Sequence, residues 1–394
     1  MNYPSMNTCP SCQIGQMSIF YEVDHFPVHT VLNIGTKTEA MGYRRGDIRL
    51  GFCPECGFIS NVSFNPDLLE YGSNCEESQG FSATFRSFAS RLARKLVDRY
   101  GLEGKTILEI GCGKGEFLSM LCEYGNNRGV GFDPAYVEGR NAVPARGSVQ
   151  FIKDDFSEKY SHCQADFVCC QMTLEHIRPV GTFVSMVRRA VGERKSTIVF
   201  FQVPDVARIL RECSFEDIYY EHCSYFSSGS LARLFKKSGF QILDLRTEYE
   251  GQYLMVEARP ASSLPEPTSS EEELGHLEDY ASSFSQRVAE KLSSWQKTIE
   301  AINDEGLRAV LWGSGSKGVA FLVNLGLGGL IDYVVDVNPH RQGMFMPGTG
   351  QEIVAPASLK EIQPDVVIVM NRVYEEEIRK DLKGMGLTPK LLAL

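Results

Sequence analysis

Residues 105–118 read KTILEIGCGKGEFL, and this stretch decides the fold. An apolar segment runs into Gly111, Gly113 and Gly115, and a helical pattern of apolar residues follows them. Glycines in such a turn permit positive φ and let the backbone approach a ligand closely, while free N–H groups at a helix start favour an anionic group. The stretch therefore predicts a strand, a tight turn and a helix that form part of a ligand site.

A second strand pattern, residues 129–132, ends at Asp133. An acid in that position accepts hydrogen bonds from ribose hydroxyls in nucleotide sites. Glu109 at the end of the first strand, together with the spacing of the glycines, resembles motif I of class I S-adenosylmethionine (SAM) methyltransferases. NAD sites have the different pattern GxGxxG, so SAM is favoured over NAD.

Later strand patterns agree with a SAM site. After a third strand, Asp155 is placed to accept from an adenine amino group, and the backbone N–H of Phe156 to meet a ring nitrogen. Gln171 ends a fourth strand and is expected to line the cofactor. A fifth strand follows at residues 196–204. This βαβ series predicts a doubly wound α/β sheet, here a Rossmann-like methyltransferase domain that binds SAM.

The sequence YYEHC, which begins at Tyr219, is dense in titratable groups. His222 has a free pKa near neutrality that suits proton removal; Glu221 can tune it, and Tyr219 can donate to a developing oxyanion. A buried histidine beside a helix start is the alternative, but the neighbouring methyl-donor site favours a catalytic role. Glu175 and His176, after the fourth strand, are interpreted as helix-start residues that pack near the pocket.

Two CxxC pairs, Cys9 with Cys12 and Cys53 with Cys56, predict one metal site in the N-terminal region. Four thiolates complete a closed tetrahedral shell, which is how structural rather than catalytic zinc is held. Two unrelated CxxC turns are the alternative. A zinc ribbon could also indicate nucleic-acid binding, but the charge of the chain opposes it.

The chain of 394 residues has 50 Asp and Glu against 40 Lys and Arg, a formal net charge of -10. A polyanion is repelled on average by such a surface, so nucleic acid is not an expected partner. No apolar run reaches the roughly 18 residues of a spanning helix, and the N-terminus lacks the basic and apolar regions of a signal peptide. We therefore expect a cytoplasmic protein without membrane contact.

The C-terminal part repeats the strand–glycine–helix theme. Residues 261–273 are rich in Pro, Ser and Glu and indicate a linker, after which a strand runs into Gly313 and Gly315, and another ends at Asp336. A second Rossmann-like α/β unit is expected, and its lack of the Glu-Ile-Gly-Cys-Gly pattern favours substrate binding over a second SAM site. The expected domains are a zinc-binding domain over 1–75, a SAM methyltransferase domain over 76–260 and a C-terminal α/β substrate-binding domain over 261–394.

Nearly end to end, the chain resembles the three-domain sugar C-methyltransferases. The resemblance rests on the four paired cysteines, EIGCGKGEFL from Glu109, YYEHCSYFS from Tyr219, WGSGSKG from Trp312, DVNPHRQGMFMPGTG from Asp336 and MNRVYEEEI from Met370. It implies methylation of a carbon next to a ketone on a nucleotide-linked deoxysugar, with His222 as the base. The chain departs from the family at Tyr220, where a second histidine is common, and at residues 249–253, where the family carries His-Gly-Gly-Ser.

These features lead to a mechanistic hypothesis. His222 removes a proton beside a carbonyl, Glu221 orients the imidazole, and Tyr219 steadies the enolate oxygen. An O- or N-methyltransferase acting on a sugar or another small metabolite would share the SAM half and is the alternative. A zinc-containing regulator that only senses SAM is a more distant one.

Overall fold

The computed structural model describes residues 8–141, 143–262, 271–326 and 329–394, which form three β-sheets. The first sheet is antiparallel and is built mainly by the N-terminal part of the chain. The elements of that part are β1 (Ser18–Pro27), α1 (Lys37–Met41), β2 (Arg45–Phe52) and β3 (Ile59–Asn61).

The second sheet has seven strands and occupies the middle of the chain. The middle part comprises α2 (Ala83–Tyr100), β4 (Thr106–Ile110), α3 (Glu116–Gly125), β5 (Arg128–Phe132), β6 (Ser148–Ile152), β7 (Phe167–Gln171), α4 (Val180–Val191), β8 (Ile198–Pro204), α5 (Val206–Glu212), β9 (Ser224–Tyr225), α6 (Ser228–Lys237), β10 (Phe240–Glu248) and β11 (Tyr253–Pro260). The strand order is β10-β11-β8-β7-β4-β5-β6. β11 is antiparallel to both neighbours, and the other adjacent pairs are parallel.

The central strands are apolar on both faces because helices cover both. Side chains of a strand alternate between the two faces of its sheet. In β4, Ile107 packs into one hydrophobic cluster with residues of α2 and α3, and Leu108 packs into another with residues of α4 and α6. The prediction of a doubly wound α/β sheet from residues 105–118 is thereby confirmed.

The third sheet is parallel and belongs to the C-terminal part, in the order β14-β13-β12-β15-β16. Its elements are α7 (Glu271–Asp304), β12 (Ala309–Trp312), α8 (Ser316–Leu325), β13 (Tyr333–Val335), β14 (Glu352–Val354), α9 (Leu359–Ile362), β15 (Val366–Val369), α10 (Glu375–Gly384) and β16 (Lys390–Ala393). The predicted second Rossmann-like unit is confirmed.

Among the described residues, no helix combines the length and the apolar character that crossing a membrane requires.

The two-residue strand β9 joins the middle part to the first sheet. It pairs antiparallel with β3, so that Tyr225 lies opposite Ile59 and Ser224 lies opposite Ser60. One edge of the N-terminal sheet is thus completed by backbone that comes from between α5 and α6.

One hydrophobic cluster draws on all three parts of the chain. Phe284 of α7 meets Tyr21 of β1 edge-on, with ring centroids 5.1 Å apart. Phe321 of α8 stacks with Phe215, which precedes β9, at 6.4 Å. These aromatic rings come from different parts of the chain and are packed against one another. Burying them therefore stabilises the contacts between the parts.

Candidate active site

The four paired cysteines converge at one point of the N-terminal part. Cys9 Sγ lies 3.7 Å from Cys56 Sγ, Cys12 Sγ lies 3.7 Å from Cys53 Sγ, and all four sulfurs lie within 4.8 Å of one another. Zinc–sulfur bonds of about 2.3 Å in a tetrahedron place the sulfurs roughly 3.8 Å apart. The donor set therefore fits a closed structural zinc site.

The tips of β4 and β5 are tied together by the glycine turn. The Gly111 N–H donates to Phe132 O at 2.8 Å, and the Gly113 N–H donates to the Asp133 carboxylate, also at 2.8 Å. Gly111 has φ +69°, and a β-carbon on it would lie 2.0 Å from Thr173 Oγ1. Only glycine fits there, so the backbone of the turn is fixed beside Asp133.

Glu109 lies in β4 directly before this turn and is 2% exposed. Its Oε2 has no hydrogen-bond partner within the described ranges, and neither has Gln171 Nε2 at the end of the adjacent β7. Burial raises the pKa of Glu109 to about 8. SAM carries a cationic ammonium and a sulfonium group, so a buried acid at the strand tips with one unpartnered oxygen among the described residues fits that molecule.

The remaining two predicted SAM residues follow β6. Asp155 is exposed to solvent, whereas Phe156 is buried and meets the Phe132 ring of β5 at 5.2 Å. Both lie at the carboxyl edge of the sheet, where doubly wound folds bind ligands.

His222 sits in a buried aromatic cluster. It is 3% exposed, its ring lies 4.1 Å from the Tyr219 ring and 4.7 Å from the His176 ring, and its Nδ1 has no partner among the described residues. Burial, helped by the charges of His176 and Lys317, lowers its pKa well below the usual value. The imidazole is therefore neutral at pH 7, which is the form that can accept a proton.

The carboxylate of Glu221 does not meet this imidazole. One oxygen lies 3.1 Å from His29 Nδ1, and the other accepts from the N–H (3.1 Å) and the hydroxyl of Thr30. The acid that the structure places nearest to the imidazole is Glu175, whose Oε1 lies 3.9 Å from His222 Nε2. Glu221 thus has different partners from the one that the sequence analysis gave it.

The structure adds three residues that the sequence did not indicate as functional. His29 Nε2 accepts from the Glu70 N–H at 3.0 Å, which places the proton on Nδ1 and so on the hydrogen bond to Glu221. The next residue, Tyr71, holds its hydroxyl 3.0 Å from His176 Nδ1. His29 and Tyr71 lie in no recognisable motif, and His176, which the sequence suggested only as a packing residue, contacts the His222 ring.

A cavity of about 260 Å³ opens between the middle and C-terminal parts. Tyr219 lines one side, and the loops after β12, β13 and β15 line the other, together with residues 76–82. Its cations are Lys317, which lies 2.5 Å from Asp217, Arg208, which also pairs with Asp217, and Arg341, which donates to Ser314 O at 2.8 Å. The position suits an acceptor molecule, because sheets of this kind bind ligands at the carboxyl ends of their strands.

Residues 249–253, where the resemblance implies a His-Gly-Gly-Ser segment, lie partly at the wall of this cavity. Tyr253 lines the cavity, and Tyr249 stacks on Tyr253 with ring centroids 4.9 Å apart. Two stacked tyrosines therefore lie in this segment.

Comparison with known proteins assigns both α/β parts. A family model described as a methyltransferase domain matches residues 85–245, and one described as a C-methyltransferase C-terminal domain matches residues 254–387. The C-methyltransferase NovU of Streptomyces niveus is 28% identical, and the match covers 72% of each chain.

The chain is similar to the 1,6-didemethyltoxoflavin-N1-methyltransferase of Burkholderia thailandensis with bound S-adenosylhomocysteine, at 20% identity and a TM-score of 0.35, over 44% of this chain and 79% of that one. It is also similar to the magnesium protoporphyrin IX methyltransferase of Synechocystis PCC 6803, at 14% identity and a TM-score of 0.36, over 45% and 84%.

Proposed function

We propose that this chain, which is a SAM-dependent C-methyltransferase, methylates a carbon next to a ketone of a nucleotide-linked deoxysugar, with His222 as the base. The family models and the NovU match give the premise. The acceptor is proposed from the resemblance to the sugar C-methyltransferases. The cavity between the two α/β parts supports a small-molecule acceptor, because it is concave and has Tyr219 on its wall.

The main support for His222 as the base is the burial and the neutral charge of its imidazole. Its imidazole is buried and neutral, one nitrogen is unpartnered, and the ring packs on Tyr219, which lines the acceptor cavity. A neutral imidazole takes a proton on the ring nitrogen that carries the lone pair, whereas oxygen or nitrogen acceptors need less help from a base.

In the proposed reaction, His222 takes the proton from the carbon beside the ketone, which leaves an enolate and an imidazolium. Tyr219 donates a hydrogen bond to the enolate oxygen. Bound SAM supplies an electrophilic methyl group, so that a carbon–carbon bond forms, the sulfur–methyl bond breaks and S-adenosylhomocysteine leaves. His222 then returns its proton to solvent.

The residues at the strand tips would hold SAM. Asp133 would accept from the ribose hydroxyls, Glu109 would face the cationic part, Asp155 and Phe156 would meet the adenine, and Gln171 would close the methionine side. Gly111 and Gly113 carry no side chain and would let the backbone approach the ligand.

The test is His222→Ala with a thymidine-diphosphate-linked 4-keto-6-deoxyhexose as acceptor. General-base help contributes roughly 100- to 10,000-fold, so turnover should fall by that factor while the Kd for SAM, measured by calorimetry, stays within twofold. His276→Ala, which changes an exposed histidine on α7, is the matched control and should retain full turnover.

NMR of the product locates the methyl group. A new carbon–carbon bond beside the former ketone supports the proposal. A methyl group on oxygen or nitrogen, or undiminished turnover of His222→Ala, contradicts it.

A further inference from the structure

Glu175 is a fully buried acid near the proposed base. It lies in the short 3-10 helix Leu174–His176 that follows β7, it is 0% exposed, and neither of its carboxylate oxygens has a hydrogen-bond partner among the described residues. Leaving a buried carboxyl group unpaired costs free energy, so such a group calls for an explanation.

Glu175 faces the imidazole of His222. Its Oε1 lies 3.9 Å from His222 Nε2, and the other ring nitrogen, Nδ1, has no partner in the described part of the chain. This separation is longer than a hydrogen bond, and catalytic hydrogen bonds are often long in the free enzyme and shorten in the complex. The other buried acid near His222 is Glu221, and its carboxylate is hydrogen-bonded to His29 and Thr30.

The tautomer of the imidazole follows from this pairing. A histidine has one N–H and one lone pair when neutral, and a carboxylate beside Nε2 fixes the N–H there. The lone pair is then on Nδ1, which is the unpartnered nitrogen. The same carboxylate stabilises the imidazolium that forms when Nδ1 takes a proton.

We propose that Glu175, and not Glu221, is the carboxylate partner that orients the His222 imidazole for proton removal. This inference rests on the function proposed above. Glu175 acts as a positioning residue, since it reaches the acceptor only through the imidazole. The step balances: the acceptor C–H bond breaks, the proton joins Nδ1, and the electron pair stays on the enolate.

The pH dependence follows from the surroundings of the pair. The other titratable groups around it are His176, Tyr71, Tyr219, Tyr225, Tyr253, Cys170, Cys223, Glu221 and Lys317. The tyrosines and thiols stay neutral near pH 7, because burial raises their pKa values. Lys317 is paired with Asp217, and burial lowers the pKa of His176.

The proton of the pair therefore sits on Glu175 in the resting enzyme, since burial raises the pKa of that carboxyl to about 8. A protonated Glu175 donates to Nε2 and leaves the N–H on Nδ1, which is the wrong tautomer for a base. We expect proton removal to speed up as the pH rises through about 8.

The experiment isolates this step from methyl transfer. The acceptor probe is thymidine-diphosphate-4-keto-6-deoxyglucose, incubated in D2O with the enzyme and S-adenosylhomocysteine, and NMR follows deuterium uptake beside the ketone from pH 6 to 9.5. Glu175→Gln should slow the uptake about 100-fold with little change in the half-saturating probe concentration, and the rise through pH 8 should disappear.

The matched control is Glu216→Gln, the same exchange at another buried glutamate, which forms an ion pair with Lys291 on α7. It should keep the wild-type rate and pH profile. If Glu175→Gln keeps both as well while His222→Ala is inactive, this inference is overturned and the proposed function stands. If His222→Ala exchanges at the wild-type rate, the base assignment fails, and this inference falls with it.

A second measurement needs no acceptor. In 15N-histidine-labelled protein, the signals absent from His222→Asn identify residue 222, and their shifts report its tautomer. Above pH 9 we expect the Nε2–H form in the wild type and a changed tautomer ratio in Glu175→Gln. An Nδ1–H form at that pH, or an unchanged ratio in the variant, overturns the inference.

Discussion

At the scale of single residues, the strand tips combine a fixed backbone with a buried acid, one oxygen of which has no partner in the described part of the chain. The Asp133 carboxylate already accepts from the N–H groups of Gly113 and Ala135, whereas Glu109 Oε2 has no partner among the described residues. Asp133 therefore holds the turn in shape, and Glu109 is the group whose charge state a cationic ligand can change.

This difference gives a prediction for Glu109. Its pKa of about 8 means that the carboxyl is mostly protonated at pH 7, and a bound cation favours the ionised form, so binding SAM should release a proton. Calorimetry at pH 7 in two buffers of different ionisation enthalpy measures that release. Glu109→Gln should release less, and Glu103→Gln, at an exposed position before β4, should match the wild type. Equal release from Glu109→Gln and wild type would contradict the idea.

At the scale of elements, the sequence predicted what local patterns encode. The strand–turn–helix around Gly111, the strand that ends at Asp133 and the second α/β unit are all confirmed, because apolar periodicity and glycine turns act over a few residues. The partners of Glu221 could not be predicted. His29 lies 192 positions away in the chain and reaches Glu221 only through packing of the N-terminal sheet.

The start of α2 shows a similar long-range contact. The Glu377 carboxylate of α10 accepts from the Ser82 hydroxyl at 2.7 Å, the Ala83 N–H at 2.9 Å and the Thr84 N–H at 3.0 Å. Glu377 of the C-terminal part therefore caps α2 of the middle part. The hydrogen bonds from these donors lower the pKa of the Glu377 carboxyl.

We predict that Glu377→Gln lowers the free energy of unfolding by about 1 kcal/mol at pH 7, as loss of a helix cap does. Because the folded-state pKa is depressed, the stabilisation is present above the unfolded-state pKa and is lost as the pH falls through the folded-state value. Urea unfolding of variant and wild type should therefore converge at low pH. Glu376→Gln, at a side chain that is 92% exposed, should stay within roughly 0.5 kcal/mol of wild type at both pH values.

At the scale of the whole molecule, the cysteine cluster is hydrogen-bonded to a helix of the middle part. Lys237 of α6 donates to Cys12 O at 2.8 Å, and Arg233 of the same helix donates to Cys56 O at 3.0 Å. The cluster thus packs against the middle part, which bears the proposed SAM site.

We predict that the cluster holds a structural zinc ion. Metal affinity contributes directly to folding free energy, so a strong chelator should lower the melting temperature and release zinc that a colorimetric dye detects. Turnover should decline with the folded fraction and not ahead of it. Cys9→Ser should lose the metal, and Cys163→Ser, outside the cluster, should retain it. Full activity of metal-free protein that has an unchanged melting temperature would refute a structural role.

The pairing of β9 with β3 has a consequence for dissecting the protein. A fragment that ends at residue 75 would carry β3 without Ser224 and Tyr225, and an uncovered strand border recruits other chains. The loop that carries His222 continues directly into β9, which pairs with the N-terminal sheet. The position of the proposed base therefore depends on the position of that sheet. Chimaeras that graft the N-terminal module of one relative onto another must bring the matching β9 loop with it.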